Sequence, residues 1–375
     1  MRAKQNIPLT AQIFSKSSIT MLAQVLADDP QARVTALDVG PMERKGSHAR
    51  YERFRMGWEG PQGKGRRRFI LKVPSNTWSE ALNPTIPAPS EVLLVEGDLS
   101  TVFSQIIPDG AVAAGRKTNA RPAWVLSEDF GHSIGLPSDH SSQTSQIEEL
   151  VLVKSAAFHA LHWDALPVLN DVYPWLPRFT NWVEAQCAFL AALLRQESEP
   201  DTPYHRWANQ QWPALTQTFA AACQKLDPLH LEPLQTILNN PDLLLDTITQ
   251  SPQTIIHGAW RKENLGLQEG QLIAREWEYV QVGPAAWDLY TYLTALPTAS
   301  HLIARYLDHV ATTIPTLSES ERAAFQRAYD LCPLLDTLLH PPRGQTSDTQ
   351  AHIAPWLSDL TEQITRHFFK KSIAS

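Results

Sequence analysis

One segment of the chain carries residue types and spacings that suit phosphoryl transfer. It reads His257-Gly258-Ala259-Trp260-Arg261-Lys262-Glu263-Asn264 and is followed by Glu276-Trp277-Glu278. Phosphoryl transfer uses a carboxylate that orients the nucleophile, together with an amide and a second carboxylate that hold magnesium. Asn264 supplies the amide and Glu276 the second carboxylate. Ala259 stands at the position of the base, so the segment predicts a phosphoryl-transfer fold more firmly than it predicts activity.

The segment resembles the catalytic loop of the aminoglycoside phosphotransferase, choline kinase and ecdysteroid-kinase-like superfamily. In that family His-Gly-Asp is followed by four residues and Asn, and about a dozen residues later by Asp-Trp. The resemblance covers most of the chain, roughly Val34 to Leu293. It implies a protein-kinase-like fold that binds ATP and Mg²⁺ in a cleft between two lobes and phosphorylates a small hydroxylated molecule.

The resemblance also implies residues that bind the nucleotide. In Ile70-Leu71-Lys72, Lys72 resembles the strand lysine that steadies the phosphates, with a surface lysine as the alternative. Glu96 lies on the next predicted helix, where the family has a glutamate that pairs with this lysine, and Glu91 is a competing partner. Val125 to Asp129 resembles the hinge strand, which makes Glu128 a candidate cofactor-binding residue. Gly46-Ser47-His48 has the position of a hairpin turn that covers the nucleotide.

Further residues receive roles around the loop from the same resemblance. His257 is expected to shape the loop through bonds to nearby backbone. Asn264 is expected to bind magnesium with Glu276, and the alternative for Asn264 is a loop-capping amide. Asp288 resembles the helix aspartate that accepts backbone donors of the loop, although a carboxylate at a helix N-terminus explains it almost as well. For His159 and its neighbour His162, packed core histidines are favoured over metal ligands.

Two departures from the family pattern affect the predicted activity. Ala259 cannot accept a proton, and general-base help is typically worth about 10²–10⁴ in rate, which is roughly 3–5 kcal/mol of barrier. Glu276 replaces the family's aspartate and keeps an oxygen ligand on a longer arm. Because magnesium demands near-ideal octahedral geometry, this change is expected to weaken or shift the metal rather than to prevent its binding.

The predicted secondary structure that must position these residues changes from strands to helices along the chain. The first third has strand-sized runs at Arg33 to Val39, Ala49 to Met56, Arg68 to Val73 and Ala123 to Ser127, separated by turns with glycine. A helical stretch from Glu91 to Ile107 interrupts them. From about Ser145 the apolar residues recur three and four apart, as in helices. This order predicts an α+β, bilobal protein-kinase-like fold with a small antiparallel-sheet N-lobe and a larger α-helical C-lobe.

The predicted lobes span residues 1–127, which bind the nucleotide, and 128–375. The larger lobe contains the catalytic loop at 256–264 and a substrate region at about 164–253. The 375 residues suffice for two such cores. A net charge of −7 argues against a nucleic-acid surface. Three widely spaced cysteines and the absence of any apolar run of membrane length lead us to expect a cytoplasmic location without membrane insertion.

Three functions remain open from the sequence. The first is a kinase-fold protein that binds ATP and has an impaired catalytic centre. The second is an active small-molecule hydroxyl kinase that uses Asn264 and Glu276. The third is a non-catalytic scaffold that binds a partner. A competing motif, Gly131-His132-Ser133-Ile134-Gly135, matches the pattern of serine hydrolases, but a polar loop follows it instead of the required helix.

Overall fold

The computed structural model describes residues 9–42, 49–74, 77–108, 110–118, 122–129, 142–196, 202–268, 270–294, 300–343 and 347–369. The turn at Gly46-Ser47-His48 and the motif at Gly131 to Gly135 lie outside these residues. Within the described ranges, no helix has the length and apolar character needed to cross a membrane.

The strands of the described residues are short apart from the first three. In chain order they are β1 (Arg33–Met42), β2 (Arg50–Gly60), β3 (Gly63–Val73), β4 (Ala111–Gly115), β5 (Trp124–Glu128), β6 (Gln253–Ile256), β7 (Leu265–Gln268), β8 (Gln271–Ala274) and β9 (Gln281–Pro284).

Helices make up most of the chain after residue 141. In chain order the described helices are α1 (Leu9–Ile13), α2 (Lys16–Ala27), α3 (Trp78–Leu82), α4 (Ser90–Glu96), α5 (Asp98–Ser104), α6 (Ser142–Ala160), α7 (Leu166–Val172), α8 (Phe179–Arg195), α9 (Pro203–Gln211), α10 (Pro213–Cys223), α11 (Pro228–Asn239), α12 (Asp242–Gln250), α13 (Ala285–Leu293), α14 (Ser300–Thr313), α15 (Glu319–Leu339) and α16 (Ser347–Ile364).

By contacts the chain divides into two compact units, and neither is a single stretch of sequence. The sheet unit contains residues 1–77, 86–145 and 262–278, and the helical unit contains residues 78–85, 146–261 and 279–375. The segment 262–278, which the sequence prediction included in the helical lobe, therefore packs with the sheet. The predicted α+β architecture, with an antiparallel sheet followed by a helical part, is confirmed.

The core of the sheet unit lies on one face of a five-stranded antiparallel sheet with the order β1-β2-β3-β5-β4. Strands β2 and β3 pair along their whole length from Arg50↔Val73 to Gly60↔Gly63. Phe54 of β2 packs against Phe69 of β3 in this core, where both rings are almost fully buried. The long pairing fixes the register of β3 against β2, and this register places Lys72 opposite Tyr51.

The predicted helix from Glu91 to Ile107 is two helices in the structure. Gly97 separates α4 from α5 and has an extended backbone, with φ −96° and ψ 173°. A Cβ atom at this position would lie 2.9 Å from the carbonyl oxygen of Leu93. Glycine therefore ends α4 after seven residues and leaves Glu96 at its exposed end.

The helical unit has a core rich in tryptophan. Trp182 on α8 and Trp287 on α13 are buried with ring centroids 6.3 Å apart. Phe179 packs against both rings. The short strand pair β6 and β9 runs from Gln253↔Pro284 to Ile256↔Gln281. Because His257 follows β6 directly, this pair fixes where the loop at Ala259 begins.

Candidate functional site

The sheet unit buries the side chain of Lys72 near the end of β3. Phe69, Leu71 and Val73 alternate towards the core, so Lys72 points to the opposite face of the sheet. That face is covered as well, because the lysine side chain is only 5% exposed. Lys72 pairs with Tyr51 across β2 and β3, and its Nζ atom lies 6.0 Å from the centroid of the tyrosine ring. Lys72 is therefore not the surface lysine that the sequence left as the alternative.

Three carboxylates surround the ammonium group of Lys72. Its Nζ atom lies 2.7 Å from Oε2 of Glu91, 3.0 Å from Oε2 of Glu276 and 3.3 Å from Oε2 of Glu278. The hydroxyl of Tyr51 also donates a hydrogen bond to Oε2 of Glu276, at 3.3 Å. The ammonium is thus held from two separate parts of the chain, the helix α4 and the segment after β8.

The predicted pairing of Lys72 with Glu96 is wrong, and the competing residue Glu91 makes the contact. Glu91 lies in the first turn of α4 and is buried. Glu96 lies at the other end of that helix and pairs with Arg116 at 2.5 Å. The helical period explains the difference, because five positions along a helix place a side chain on another face.

Burial and the neighbouring charges shift the pKa values of the residues around Lys72. Burial alone lowers the pKa of Lys72, but the charges of Glu276, Glu91 and Glu278 outweigh it and hold that pKa well above the usual value. Burial raises the pKa of Glu91 from 4.5 to about 7, against the opposing charge of Lys72. Lys72 therefore stays charged near neutral pH, while the protonation of Glu91 changes there.

The pKa of Glu91 predicts a pH dependence of stability. A carboxyl whose folded-state pKa exceeds its unfolded value contributes stability at low pH, and this contribution is lost as the pH rises. Relative to Glu91→Gln, which does not titrate, we expect the wild type to lose unfolding free energy between about pH 4.5 and about pH 7. Chemical denaturation of both proteins across this pH range measures the difference in their unfolding free energies. If wild type minus Glu91→Gln stays constant or increases with pH, the raised pKa of Glu91 is contradicted.

The hairpin formed by β7 and β8 brings Asn264 and Glu276 to its open end. Leu265 pairs with Ala274 at that end, and the carbonyl oxygen of Asn264 accepts the N–H of Arg275 at 2.8 Å. Glu276 follows directly and has a φ of 65°, which is uncommon for a residue other than glycine. Unusual backbone of this kind concentrates at functional sites. The backbone bond between Asn264 and Arg275 therefore places Asn264 beside the residue that precedes Glu276.

Glu128 ends the predicted hinge strand, which the structure contains as β5. Its backbone N–H donates to the carbonyl oxygen of Gly110 at 2.8 Å, and its side chain forms an ion pair with Arg67. The backbone N–H of Asp129 donates to Arg68, also at 2.8 Å. The Glu128 side chain thus has a local partner on the neighbouring strand β3.

In the helical unit, Asp288 holds the backbone of the loop before Ala259. Its Oδ2 accepts the N–H of His257 at 2.7 Å, and its Oδ1 accepts the N–H of Gly258 at 2.8 Å. This is the kind of contact that the resemblance implied for Asp288. The Nδ1 atom of His257 in turn accepts the N–H of Ala259 at 3.3 Å. The loop is therefore held by one carboxylate and one imidazole.

Glycine is required at position 258 both by the backbone conformation and by the neighbouring atoms. Its φ is 81°, and a Cβ atom there would lie 2.3 Å from the carbonyl oxygen of Tyr279. The indole N–H of Trp287 donates to the carbonyl oxygen of Gly258 at 2.9 Å. The following residue, Ala259, ends in a methyl group. The side chain at position 259 therefore offers no hydrogen-bond acceptor.

His159 completes the support of Asp288. Its side chain is fully buried, with Nε2 at 3.2 Å from Oδ2 of Asp288 and Nδ1 at 2.7 Å from the hydroxyl of Tyr306. Within the described part of the chain, no cluster of three or more histidine, cysteine or acidic residues is arranged to hold a metal. His159 is therefore a core histidine that orients Asp288.

Two residues of the Lys72 cluster were not predicted as site residues from the sequence. Glu278 lies two positions after Glu276, and Tyr51 is the cross-strand partner of Lys72. Glu278 is visible in Glu276-Trp277-Glu278, but Trp277–Tyr279 form a short 3₁₀ helix, so its approach to Lys72 could not be predicted from alternation along the chain. No signal in the sequence indicated Tyr51, since the register of β2 and β3 was unknown.

Comparisons with known proteins give only structural similarities. No protein-family model matches the chain, and no curated protein matches it. Among solved structures, a macrolide 2'-phosphotransferase from Brachybacterium faecium is similar at 15% identity and a TM-score of 0.45, over 90% of this chain and 97% of that one. Aminoglycoside 2'-phosphotransferase-IIIa in its GDP complex is similar at 12% identity and a TM-score of 0.46, over 95% and 100%.

A choline kinase from Streptococcus pneumoniae is also similar, at 12% identity and a TM-score of 0.44, over 92% of this chain and 98% of that one. The solved structures to which this chain is similar thus include macrolide and aminoglycoside phosphotransferases and a choline kinase.

Proposed function

We propose that this protein binds ATP through Lys72 and is a phosphotransferase of small hydroxylated molecules whose rate is lowered by Ala259. The observation that carries the proposal is the buried ammonium of Lys72, which is held by Glu91 and Glu276. Burying a lysine is costly, and its charge is kept only where partners hold it. An ammonium fixed in this way suits the phosphates of a nucleotide.

Magnesium is part of this proposal. Mg²⁺ in nucleotide sites is usually bound by one or two carboxylates and by the phosphates, rather than by a cage made of protein alone. Asn264 and Glu276 at the open end of the hairpin are oxygen ligands of the right type, and they fit this pattern. When bound, the ion would neutralise charge on the phosphates. Asn264 and Glu276 would hold it.

The low turnover rate that we propose follows from Ala259 in the loop after β6. Asp288 and His257 support its backbone, but Ala259 cannot accept the proton of an attacking hydroxyl. Because the transition state of phosphoryl transfer is loose, positioning and electrostatics carry most of the catalysis. We therefore propose slow turnover rather than none.

Replacing Lys72 with methionine tests the nucleotide site. We expect Lys72→Met to weaken the binding of ATP and magnesium at least about tenfold, since a charge-assisted contact is worth about 1.5–3 kcal/mol. Isothermal titration calorimetry measures the dissociation constant. Lys64→Met is the matched control, because Lys64 lies exposed on the same strand.

Lys72→Met leaves three carboxylates without their cation, so its melting temperature must be measured as well. Lys72→Arg provides a second variant that keeps the charge but displaces it, and it is also expected to bind ATP more weakly. If the wild type gives neither heat nor a melting-temperature shift with ATP and magnesium, the proposal of a nucleotide site is lost.

A further inference from the structure

Three arginine side chains lie together on the face of the sheet that is turned away from its core. Arg55 of β2 and Arg68 of β3 stand directly opposite each other in the pairing of the two strands. Arg66 lies two residues before Arg68, so it points to the same face at about 7 Å along β3. All three are exposed, whereas Phe54 and Phe69 fill the core on the other face. We call Arg55, Arg66 and Arg68 the arginine cluster.

The charge of the arginine cluster is not cancelled by carboxylates. In the described part of the chain, none of its three guanidinium groups takes part in an ion pair or a side-chain hydrogen bond. The neighbouring Arg53 differs, because it pairs with Asp129 at 2.7 Å. Asp38 of β1 stands opposite Arg55 in the strand register, but the two form no ion pair. The cluster therefore presents an excess of positive charge to solvent.

The pairing of Arg55 with Arg68 is unfavourable as long as no anion lies between them. Side chains directly opposite in an antiparallel pair have Cβ atoms about 4.5–5.5 Å apart, and like charges at this distance destabilise a sheet. An anion that contacts both residues replaces the repulsion with attraction. Each guanidinium offers its donors in a planar fork that matches the oxygens of a phosphate group. Three forks on one face thus suit an anion that has several phosphate groups.

The surroundings of the cluster indicate a short inorganic anion rather than a nucleic acid or a nucleotide. A net charge of −7 on the whole chain opposes a long polyanion. The described neighbours of the cluster on the same face are Ala36, Gly57 and Ile70. None of these three offers an aromatic ring on which a base could stack. The phosphate groups are therefore the part of a ligand that this face can recognise.

The cluster is separate from the buried ammonium of Lys72. Lys72 lies on the same face of β3, four residues beyond Arg68, which is about 13 Å along the strand. Three carboxylates surround Lys72, whereas the arginines are exposed and have no such partners. An anion site at the arginine cluster therefore does not depend on whether a nucleotide binds at Lys72.

We propose that Arg55, Arg66 and Arg68 form a binding site for an inorganic oligophosphate, a chain of a few phosphate groups. The anion lies between Arg55 and Arg68, and Arg66 holds its further phosphate groups. This contact is non-covalent, and it adds a second anion site to the sheet unit.

The test is isothermal titration calorimetry of the full chain with sodium tripolyphosphate, without magnesium. We expect the wild type to bind one tripolyphosphate, with a dissociation constant that rises with added NaCl because salt screens exposed charges. The double variant Arg55→Gln/Arg68→Gln should bind at least about tenfold more weakly, since it lacks two charge-assisted contacts. Arg33→Gln/Arg50→Gln is the matched control, because it makes the same change of charge at exposed positions of β1 and β2 outside the cluster.

A variant at Lys72 separates this site from the proposed nucleotide site. We expect Lys72→Met to bind tripolyphosphate with the affinity of the wild type, and Lys72→Arg serves if the methionine variant does not fold. If the variant at Lys72 loses tripolyphosphate binding while Arg55→Gln/Arg68→Gln keeps it, the anion binds at Lys72 and the arginine site is ruled out.

Thermal melting gives a readout that a structural role for the arginines would not produce. Without tripolyphosphate, Arg55→Gln/Arg68→Gln should melt at or above the wild-type temperature, because two facing charges are gone. With tripolyphosphate, the wild type should gain melting temperature and the double variant should not, since only a ligand that binds the folded state stabilises it.

Four results would each rule out the arginine site. The wild type gives no heat with tripolyphosphate, or the double variant binds as tightly as the wild type. The control Arg33→Gln/Arg50→Gln loses as much affinity as the double variant, which would indicate attraction to general surface charge. A single-stranded oligonucleotide at equal phosphate concentration raises the wild-type melting temperature more than tripolyphosphate does, which would indicate a nucleic-acid surface.

Discussion

Asp288→Ala is expected to lower the free energy of unfolding of the helical unit by about 3–5 kcal/mol, the usual cost of removing one partner from a buried charged network. The carboxylate is fully buried and accepts the N–H groups of His257 and Gly258 beside the ring of His159. Its loss leaves buried donors without an acceptor. Denaturant unfolding followed by circular dichroism measures the change.

The control for this substitution is Asp308→Ala. Asp308 is 72% exposed and pairs with Arg322 at 3.2 Å on the surface, where such pairs contribute about 0–1 kcal/mol. A loss below about 1 kcal/mol in Asp288→Ala would mean that the loop before Ala259 does not depend on this carboxylate. The role of His159 as its orienting partner would then fail too.

Ala259→Asp is expected to raise the rate of ATP hydrolysis or phosphoryl transfer about 100-fold. It supplies an acceptor at a position whose backbone is already held by His257 and Asp288. General-base help is typically worth about 10²–10⁴ in rate, and the expected gain is the lower end of that range. Steady-state release of nucleoside diphosphate measures the change.

Ala259→Asn is the matched control, since it has similar size and no basic oxygen. If Ala259→Asp binds ATP but gains no rate over Ala259→Asn, the missing carboxylate is not what limits turnover.

Local sequence was a good guide to the type of each element. The alternation from Ala49 to Met56, the extended run from Arg68 to Val73 and the helical periodicity after residue 145 predicted the sheet and the helical part. The strand β4 was missed, because Ala111 to Gly115 contains only one residue of the β-branched or aromatic types typical of strands, Val112. The hairpin of β7 and β8 was missed too, because four-residue strands carry little periodic signal.

The partners of Lys72 could be predicted only in part. The resemblance implied a phosphate-contacting lysine with an acidic partner on the following helix, and it left Glu91 and Glu96 as alternatives. The choice depended on which face of α4 is turned towards Lys72, and Glu91 in the first turn lies on that face. The rotation of a short helix about its axis is set by tertiary packing and is not visible in the apolar pattern.

The sequence by itself determined which functional groups are present: the amide of Asn264, the carboxylate of Glu276, and a methyl group at Ala259. Side-chain chemistry is a local property, so it can be read directly from the residues. Only the tertiary structure decided that Glu91, Glu276 and Glu278 surround Lys72. Contacts between residues far apart in the chain depend on how helices pack around a shared core, and one sequence carries no local record of that packing.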